Sequence, residues 1–229
     1  MAKYILGDSI STANKVFLAN QIGKFKIDLK NEKFYGGEIK VSGTKDNKVI
    51  LIRVPTVGSL AQEKTEYFTL EQLNENIKKI TSSNEFIVQL NDFLRNMDSN
   101  KLILINIDCI DKCKEVAQNV SKIVNRYPKL NLFISVPDEH AYDFLDLVNI
   151  NHKKGISINY IPNPDIIKKK IDFFVLDKKL AFPGVIEELF SNGYQIFIAD
   201  INNTIQEKTL NEVAGQNFKD LYIIRPLIW

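Results

Sequence analysis

The apolar and polar positions in the second half of the chain predict alternating strands and helices. Residues 101–105 form a short run of branched apolar side chains, which is typical of a buried parallel strand. After Ile110 the apolar residues recur every three or four positions as far as Val124, as they do on one face of a helix. Strand-like runs and helical stretches continue to alternate as far as residues 221–224. This alternation predicts a parallel sheet with helices on both faces.

The first half of the chain has a different pattern. Short candidate strands are separated by turn-forming residues, and the strongest turn signal is Ser-Gly-Thr-Lys-Asp-Asn at residues 42–47. Two helical stretches follow, at residues 70–80 and 85–97. The change of pattern predicts two units, namely an N-terminal α+β domain over residues 1–97 and a C-terminal α/β domain with a parallel αβα core over residues 101–229.

Composition and charge limit the classes of function. The formal net charge of the 229 residues is +2, so there is no electrostatic case for a nucleic-acid binder. No apolar run approaches the roughly 18 residues of a membrane span. Asp8 follows Tyr4 too closely for a signal peptide. We expect Cys109 and Cys113 to be free thiols in a reducing compartment, and the predicted location is therefore cytoplasmic.

Residues 101–113 have the layout of a phosphate-binding loop. A strand, a seven-residue connection and a helix with Lys112 near its start follow one another. Such a loop uses glycines so that backbone N–H groups can converge on phosphate, but Asn106 and Asp111 occupy those positions here. Cys113 stands where a hydroxyl would hold magnesium, and a thiol is a poor ligand for that ion. The layout therefore indicates a phosphate loop that has lost its working groups.

Four motifs from Lys101 to Ile223 resemble those of the cytosolic thymidine kinase family, in which a RecA-like core carries a zinc-bearing lasso. They are Asn106-Ile107-Asp108-Cys109-Ile110-Asp111-Lys112-Cys113 in place of the phosphate loop, Asp138 with His140 after the next strand, Asp177-Lys178-Lys179-Leu180-Ala181-Phe182-Pro183, and Ala199-Asp200-Ile201-Asn202-Asn203-Thr204-Ile205. The resemblance implies a RecA-like αβα core for the C-terminal domain. It also implies a vestigial nucleotide-binding role for Lys112, Asp138 and Asp177.

Departures from the family pattern argue against kinase activity. Lys178 occupies the place of the family's catalytic glutamate, and a lysine side chain is protonated at neutral pH and cannot accept a proton. No cysteine follows Cys113, so the zinc-bearing lasso cannot be present. We therefore expect no catalytic residue, no zinc or other metal, and no cofactor.

The resulting prediction is a non-catalytic scaffold or interaction protein built on a degenerate nucleoside-kinase fold, such as a viral or phage structural or assembly component. Its partner would be another protein or a second copy of itself, with no nucleic acid and no membrane, and its location cytoplasmic or virion-associated. The apolar stretch at residues 222–229 fits an interface. Two alternatives stay open. One is a nucleotide-binding enzyme, a nucleoside kinase or hydrolase, with unorthodox residues, and the other is a small-molecule sensor that kept the cleft.

Overall fold

The computed structural model describes residues 3–7, 19–52, 56–57, 63–81, 86–97, 100–160, 166, 169–199, 201 and 204–226. The strands are β1 (Lys3–Gly7), β2 (Gly36–Gly43), β3 (Val49–Ile52), β4 (Thr56–Val57), β5 (Glu63–Lys64), β6 (Leu102–Ile107), β7 (Asn131–Val136), β8 (Lys153–Ile158), β9 (Phe173–Asp177), β10 (Gln195–Ala199) and β11 (Leu221–Pro226). The helices are α1 (Ala19–Leu29), α2 (Leu70–Thr81), α3 (Leu90–Arg95), α4 (Cys113–Val124), α5 (Glu139–Leu147), α6 (Pro183–Ser191) and α7 (Thr204–Ala214). Short 3-10 turns lie at Thr65–Tyr67, Lys178–Leu180 and Gly215–Asp220.

Within the described residues, eight parallel strands close into a barrel. Their order is β1-β11-β10-β9-β8-β7-β6-β2, and β2 pairs back with β1. Strand β3 lies outside the ring as the antiparallel partner of β2. The turn between them contains Asn47, whose φ of 60° is a left-handed conformation that asparagine tolerates. The architecture is that of a TIM-like barrel.

The predicted fold class, an open RecA-like αβα core preceded by a separate α+β domain, is wrong. Strands β1 and β2, which come from the first part of the chain, fill the gap between β11 and β6. An open parallel sheet and a closed one bury both faces of their strands and connect them through helices. For this reason the alternation in the sequence could not distinguish them.

Glycine allows the barrel to close where β2 meets β1 and β6. Gly36 pairs with Ile5 on one side and with Leu102 on the other. A Cβ atom at this position would lie 2.2 Å from the carbonyl oxygen of Leu102, a distance at which any side chain would clash with the backbone. Residue 36 must therefore be glycine for the two neighbouring strands to approach this closely.

Side chains that point into the barrel form an apolar plug. The plug consists of Ile5, Leu102, Leu104, Phe133, Phe173, Val175, Phe197, Tyr222 and Ile224, all of them buried. The alternate residues of the same strands point outward and pack against the helices in a second core. Because both faces of each strand are covered, the strands read as continuous apolar runs. No helix of the described part of the chain is long and apolar enough to span a bilayer.

Phe133 lies at the centre of the plug, and we predict that Phe133→Ala destabilises the barrel by about 3–5 kcal/mol. Its ring lies 5.1 Å from that of Phe173 and 5.3 Å from that of Phe197, measured between centroids, so truncation leaves a cavity among packed aromatic rings. The measurement is the free energy of unfolding in urea. Phe182, which is 57% exposed, provides the matched control, and Phe182→Ala should change that free energy by less than about 1 kcal/mol. Equal losses for the two variants would contradict a packed interior.

Candidate active site

A polar cavity of about 270 Å³ opens at the end of the barrel where the parallel strands finish. In barrels of this kind the carboxyl ends of the strands and the loops that follow them carry the functional groups. The polar side chains that line the cavity come from four strands or the residues just after them, and they are Glu38, Lys40, Asn106, Asp108, Ser157, Asn159 and Asp177. We call this cavity the mouth.

A chain of hydrogen bonds joins four neighbouring strands at the base of the mouth. The Asn106 side-chain amide donates to Oε1 of Glu38 at 2.5 Å, and the Ser135 hydroxyl donates to the Asn106 side-chain oxygen. Oγ of Ser135 lies 3.3 Å from Oγ of Ser157. Glu38 is 8% exposed, so this network holds a carboxylate in a fixed orientation just above the apolar plug.

Lys40 and Asp108 place a cation and an acid with a raised pKa in the mouth beside Glu38. Lys40 follows Glu38 by two positions on β2, so both side chains point to the same side of the strand, and it is opposite Asn106 in register. Burial raises the pKa of the Asp108 carboxyl above its usual value, while the charge of Lys40 lowers it in part and the charge of Glu66 raises it further. The mouth therefore combines a carboxylate, a cation and a second acid that holds its proton more tightly than a solvent-exposed aspartic acid does.

The three residues predicted from the sequence all lie at or after the carboxyl ends of strands, but the structure does not bring them together in one site. Asp177 lines the mouth, and its Oδ1 accepts a hydrogen bond from the backbone N–H of Lys179 at 2.8 Å. Asp138 caps α5 by accepting from the backbone N–H of Ala141, also at 2.8 Å. Lys112 lies at the start of α4. The vestigial nucleotide-binding role assigned to Lys112, Asp138 and Asp177 stays a prediction.

The predicted phosphate loop does form a ring of converging N–H groups, but a protein carboxylate occupies it. Backbone N–H groups of Ile110, Asp111 and Lys112 donate to the carboxylate of Glu66 at 3.0, 3.0 and 3.1 Å. The Lys112 ammonium donates to the backbone carbonyl of Glu66 at 3.3 Å. Glu66 is 1% exposed, and it fills the position that an anionic ligand would take at a helix start.

Further contacts hold the segment around Glu66 against the loop after β6. Lys64 Nζ lies 2.6 Å from Oδ2 of Asp111, and the Tyr67 hydroxyl also donates to that carboxylate. Cys109 and Cys113 are joined by a disulfide, so the expectation of free thiols is wrong. The pairing follows from the loop, which returns the chain by residue 113 to within 5.1 Å of the Cα atom of residue 109.

Sequence reasoning missed Glu38, Lys40 and Asp108 as site residues. A usable signal was present, because polar residues stand at alternate positions in β2, at Glu38 and Lys40, and at the end of β6 and just after it, at Asn106 and Asp108. In a strand buried on both faces, polar side chains spaced by two point to a single side. The role of Glu66 had no such signal in the sequence, since a single glutamate outside a regular pattern does not indicate which backbone N–H groups its carboxylate will accept from.

No group of three or more His, Cys, Asp and Glu side chains among the described residues is arranged to hold a metal ion.

Comparison with known proteins finds structural relatives only. No family model matches the sequence, and no curated protein matches it. Among solved structures, an Oleispira antarctica phosphodiesterase in complex with the product sn-glycerol-3-phosphate is 11% identical, with a TM-score of 0.77 over 98% of this chain and 93% of that one. A putative glycerophosphodiester phosphodiesterase from Galdieria sulphuraria is 11% identical, with a TM-score of 0.75 over 99% and 94%. A glycerophosphodiester phosphodiesterase from Thermotoga maritima is 20% identical, with a TM-score of 0.68 over 98% and 94%.

These neighbours share the barrel fold, and they overturn the thymidine kinase resemblance. The prediction of a non-catalytic scaffold on a nucleoside-kinase fold is wrong, because the chain does not have that fold. The inference against an enzyme is wrong for the same reason, since it rested on the motifs of a P-loop kinase fold that this chain does not have. The eroded motifs matched because strand ends followed by polar loops recur in every parallel α/β protein. The expected protein partner and the cytoplasmic or virion-associated location stay predictions.

We predict that Glu66→Gln destabilises the protein by about 1–3 kcal/mol, because a neutral amide replaces a carboxylate that accepts from three backbone N–H groups. Glu71→Gln, at an exposed position of α2, is the matched control and should have almost no effect on the free energy of unfolding.

Hydrogen exchange gives a local readout of the same change. The amides of Ile110, Asp111 and Lys112 should exchange faster in Glu66→Gln than in the unaltered protein. The amides of β8, remote from the loop, should not. Unchanged exchange at residues 110–112 would show that Glu66 does not order the loop.

Proposed function

We propose that this protein is an enzyme that hydrolyses phosphodiesters at the mouth of the barrel. The observation that carries the proposal is the placement of Lys40 between two carboxyl groups, Glu38 and Asp108, at the end of the barrel where the strands finish. A cation in a partly buried cavity attracts the phosphate monoanion, and acids beside it supply the proton transfers that hydrolysis needs.

Each residue has a distinct role in the proposed reaction. Glu38, which Asn106 holds in place, accepts a proton from the attacking water, whose oxygen forms the new bond to phosphorus. Lys40 contacts the phosphoryl oxygens and stabilises the charge that develops on them. The bond from phosphorus to the leaving oxygen breaks, and Asp108 donates its proton to that oxygen, which departs as an alcohol. A phosphate monoester and an alcohol are the products.

The choice of phosphodiesters over other phosphate esters rests on analogy with the structural neighbours. Those neighbours are phosphodiesterases, and one of them holds sn-glycerol-3-phosphate as its product. Their identity to this chain is 20% or less, so the shared barrel supports the reaction class only as an analogy. The size of the mouth supports a small substrate, such as a phosphate carrying a three-carbon alcohol.

We predict that the protein hydrolyses a glycerophosphodiester or bis(4-nitrophenyl) phosphate, and that Lys40→Met lowers kcat/KM by about 100-fold or more through loss of charge stabilisation. Release of sn-glycerol-3-phosphate or 4-nitrophenol is the measurement, made with EDTA and separately with added Mg²⁺. Lys45→Met removes the same charge from the exposed β2–β3 turn and should leave kcat/KM unchanged.

Two results would overturn the proposed function. One is the absence of turnover with every phosphodiester in both metal conditions. The other is equal activity of Lys40→Met and Lys45→Met, since the cation of the mouth would then have no role in the reaction. Circular dichroism of each variant checks that the barrel is intact.

Asp108→Asn should slow turnover while raising the melting temperature at pH 7. Burial raises the pKa of this carboxyl in the folded state, so the folded protein binds the proton more tightly than the unfolded chain does. The stability contributed by Asp108 is therefore fully present below the unfolded pKa of about 3.9 and is lost as pH rises through the raised folded value. Asp108→Asn removes the ionisable group, so the variant avoids that loss at pH 7. Near pH 3 its melting temperature should differ little from that of the unaltered protein.

The same carboxyl gives the expected pH dependence of turnover. A general acid must be protonated, so kcat/KM should fall as pH rises through the raised pKa of Asp108, and this descending limb should be absent from Asp108→Asn. A lower melting temperature for Asp108→Asn at pH 7, or an unaltered pH profile, would contradict the role assigned to Asp108.

A further inference from the structure

A second cavity, larger than the mouth, lies at the opposite end of the barrel. Its volume is about 710 Å³, which is within the usual range for small-molecule sites. It is lined by the first residues of β1, by the connection that enters β2 and by the residues just before β6, and it extends along β1 to Arg225 in the last part of β11. The side chains that matter for its chemistry are Lys3, Tyr4, Lys33, Tyr35, Lys101 and Arg225. We call this cavity the basal pocket.

Positive charge is concentrated in the basal pocket. Lys3, Lys33, Lys101 and Arg225 line it, and Glu32 is the one acid among its described lining residues. Four cations against one carboxylate is a marked excess in a chain whose formal net charge is +2. The excess indicates an anionic ligand.

Contacts within the protein hold three of these cations in place. The Lys101 ammonium donates to the backbone carbonyls of Phe34 at 2.8 Å and Asn31 at 3.3 Å, and that of Lys3 donates to the carbonyl of Lys219 at 2.7 Å and to the Tyr222 hydroxyl at 3.5 Å. An ammonium has three N–H donors, so each lysine keeps one for a ligand, and these neutral acceptors do not cancel its charge. Arg225 is paired with the carboxylate of Glu207.

The electrostatic surroundings of Lys3 support the same reading. Desolvation by burial lowers the pKa of its ammonium, the charge of Asp220 raises it in part, and the nearby charge of Lys153 lowers it again. The charge of Asp220 therefore offsets the cost of burial only in part, and a bound anion would add to it.

Aromatic rings form the walls beside these cations. The Tyr35 side chain is 41% exposed, and the Lys3 ammonium lies 4.6 Å from the centroid of its ring. The Arg225 guanidinium lies 4.3 Å from the centroid of the Tyr4 ring. An exposed ring and a guanidinium plane both offer flat surfaces against which a planar group can stack.

From the charge, the rings and the volume together, we propose that the basal pocket binds a nucleoside monophosphate. The phosphate would lie among Lys3, Lys33 and Lys101, and the base would stack on Tyr35. Because the site is at the far end of the barrel from Lys40 and Asp108, it is separate from the mouth and does not depend on hydrolysis there.

Calorimetric titration of the full chain with AMP, adenosine, ribose 5-phosphate and inorganic phosphate tests whether the pocket recognises both the phosphate and the base. AMP should bind at least 10-fold more tightly than adenosine, which lacks the charge, and than ribose 5-phosphate, which lacks the base. Equal affinity for AMP and inorganic phosphate would overturn the proposal, since it would leave a general anion site. Absence of AMP binding would overturn it outright, without affecting the assay for hydrolysis at the mouth.

Variants assign the binding to one end of the barrel. Lys33→Glu, at an exposed position whose side chain no fold contact requires, should weaken AMP binding at least 10-fold. Lys122→Glu makes the same change of charge on the exposed side of α4 and should leave the affinity unchanged. Tyr35→Ala should weaken binding of AMP more than binding of ribose 5-phosphate, because only the former presents a base for stacking. Loss of AMP binding in Lys40→Met, with Lys33→Glu unaffected, would place the nucleotide in the mouth and refute the basal pocket.

Discussion

The parallel pairing of β1 with both β11 and β2 is the constraint on which the rest of the structure depends. Residues 3–7 hydrogen bond to residues 222–226 at the far end of the chain, and the same strand also meets the start of β2 at Ile5 and Leu6. With this strand in place the sheet has no open edge within its ring, and the interior becomes a closed volume. The approach of β2 to β6 at Gly36 completes the closure.

Closure gives the interior a gradient from apolar to polar. The aromatic and aliphatic plug fills the level directly beneath the mouth. The level above contains Glu38, Asn106 and Ser135 in one hydrogen-bonded network. Charges at such a boundary interact more strongly than they would in water, because part of their surroundings has a low dielectric constant. The raised pKa of Asp108 is a direct consequence of that boundary.

The loop after β6 shows how one backbone arrangement can serve two purposes. Converging N–H groups at a helix start favour any anion, whether it is a ligand phosphate or a side chain of the same protein. Here Glu66 takes the place, and with the Cys109–Cys113 disulfide it holds the loop that begins at Asp108. Asp108, the first residue of this loop, lines the mouth. Under the two proposals, anionic ligands bind instead at Lys40 in the mouth and at the cations of the basal pocket.

The sequence by itself determined the elements whose residues are close together along the chain. Apolar spacing located the strand at β6 and the helix that follows it, the helix α2 beginning at Leu70, and the β2–β3 hairpin around its turn. These features follow from local periodicity and turn chemistry. Only the tertiary structure decided that the sheet closes, that Glu66 fills the loop at residues 110–112, and that Glu38, Lys40 and Asp108 share one cavity. Periodicity records which face of a strand or helix is buried. It does not record which distant strand lies beside it, and open and closed parallel sheets bury the same faces.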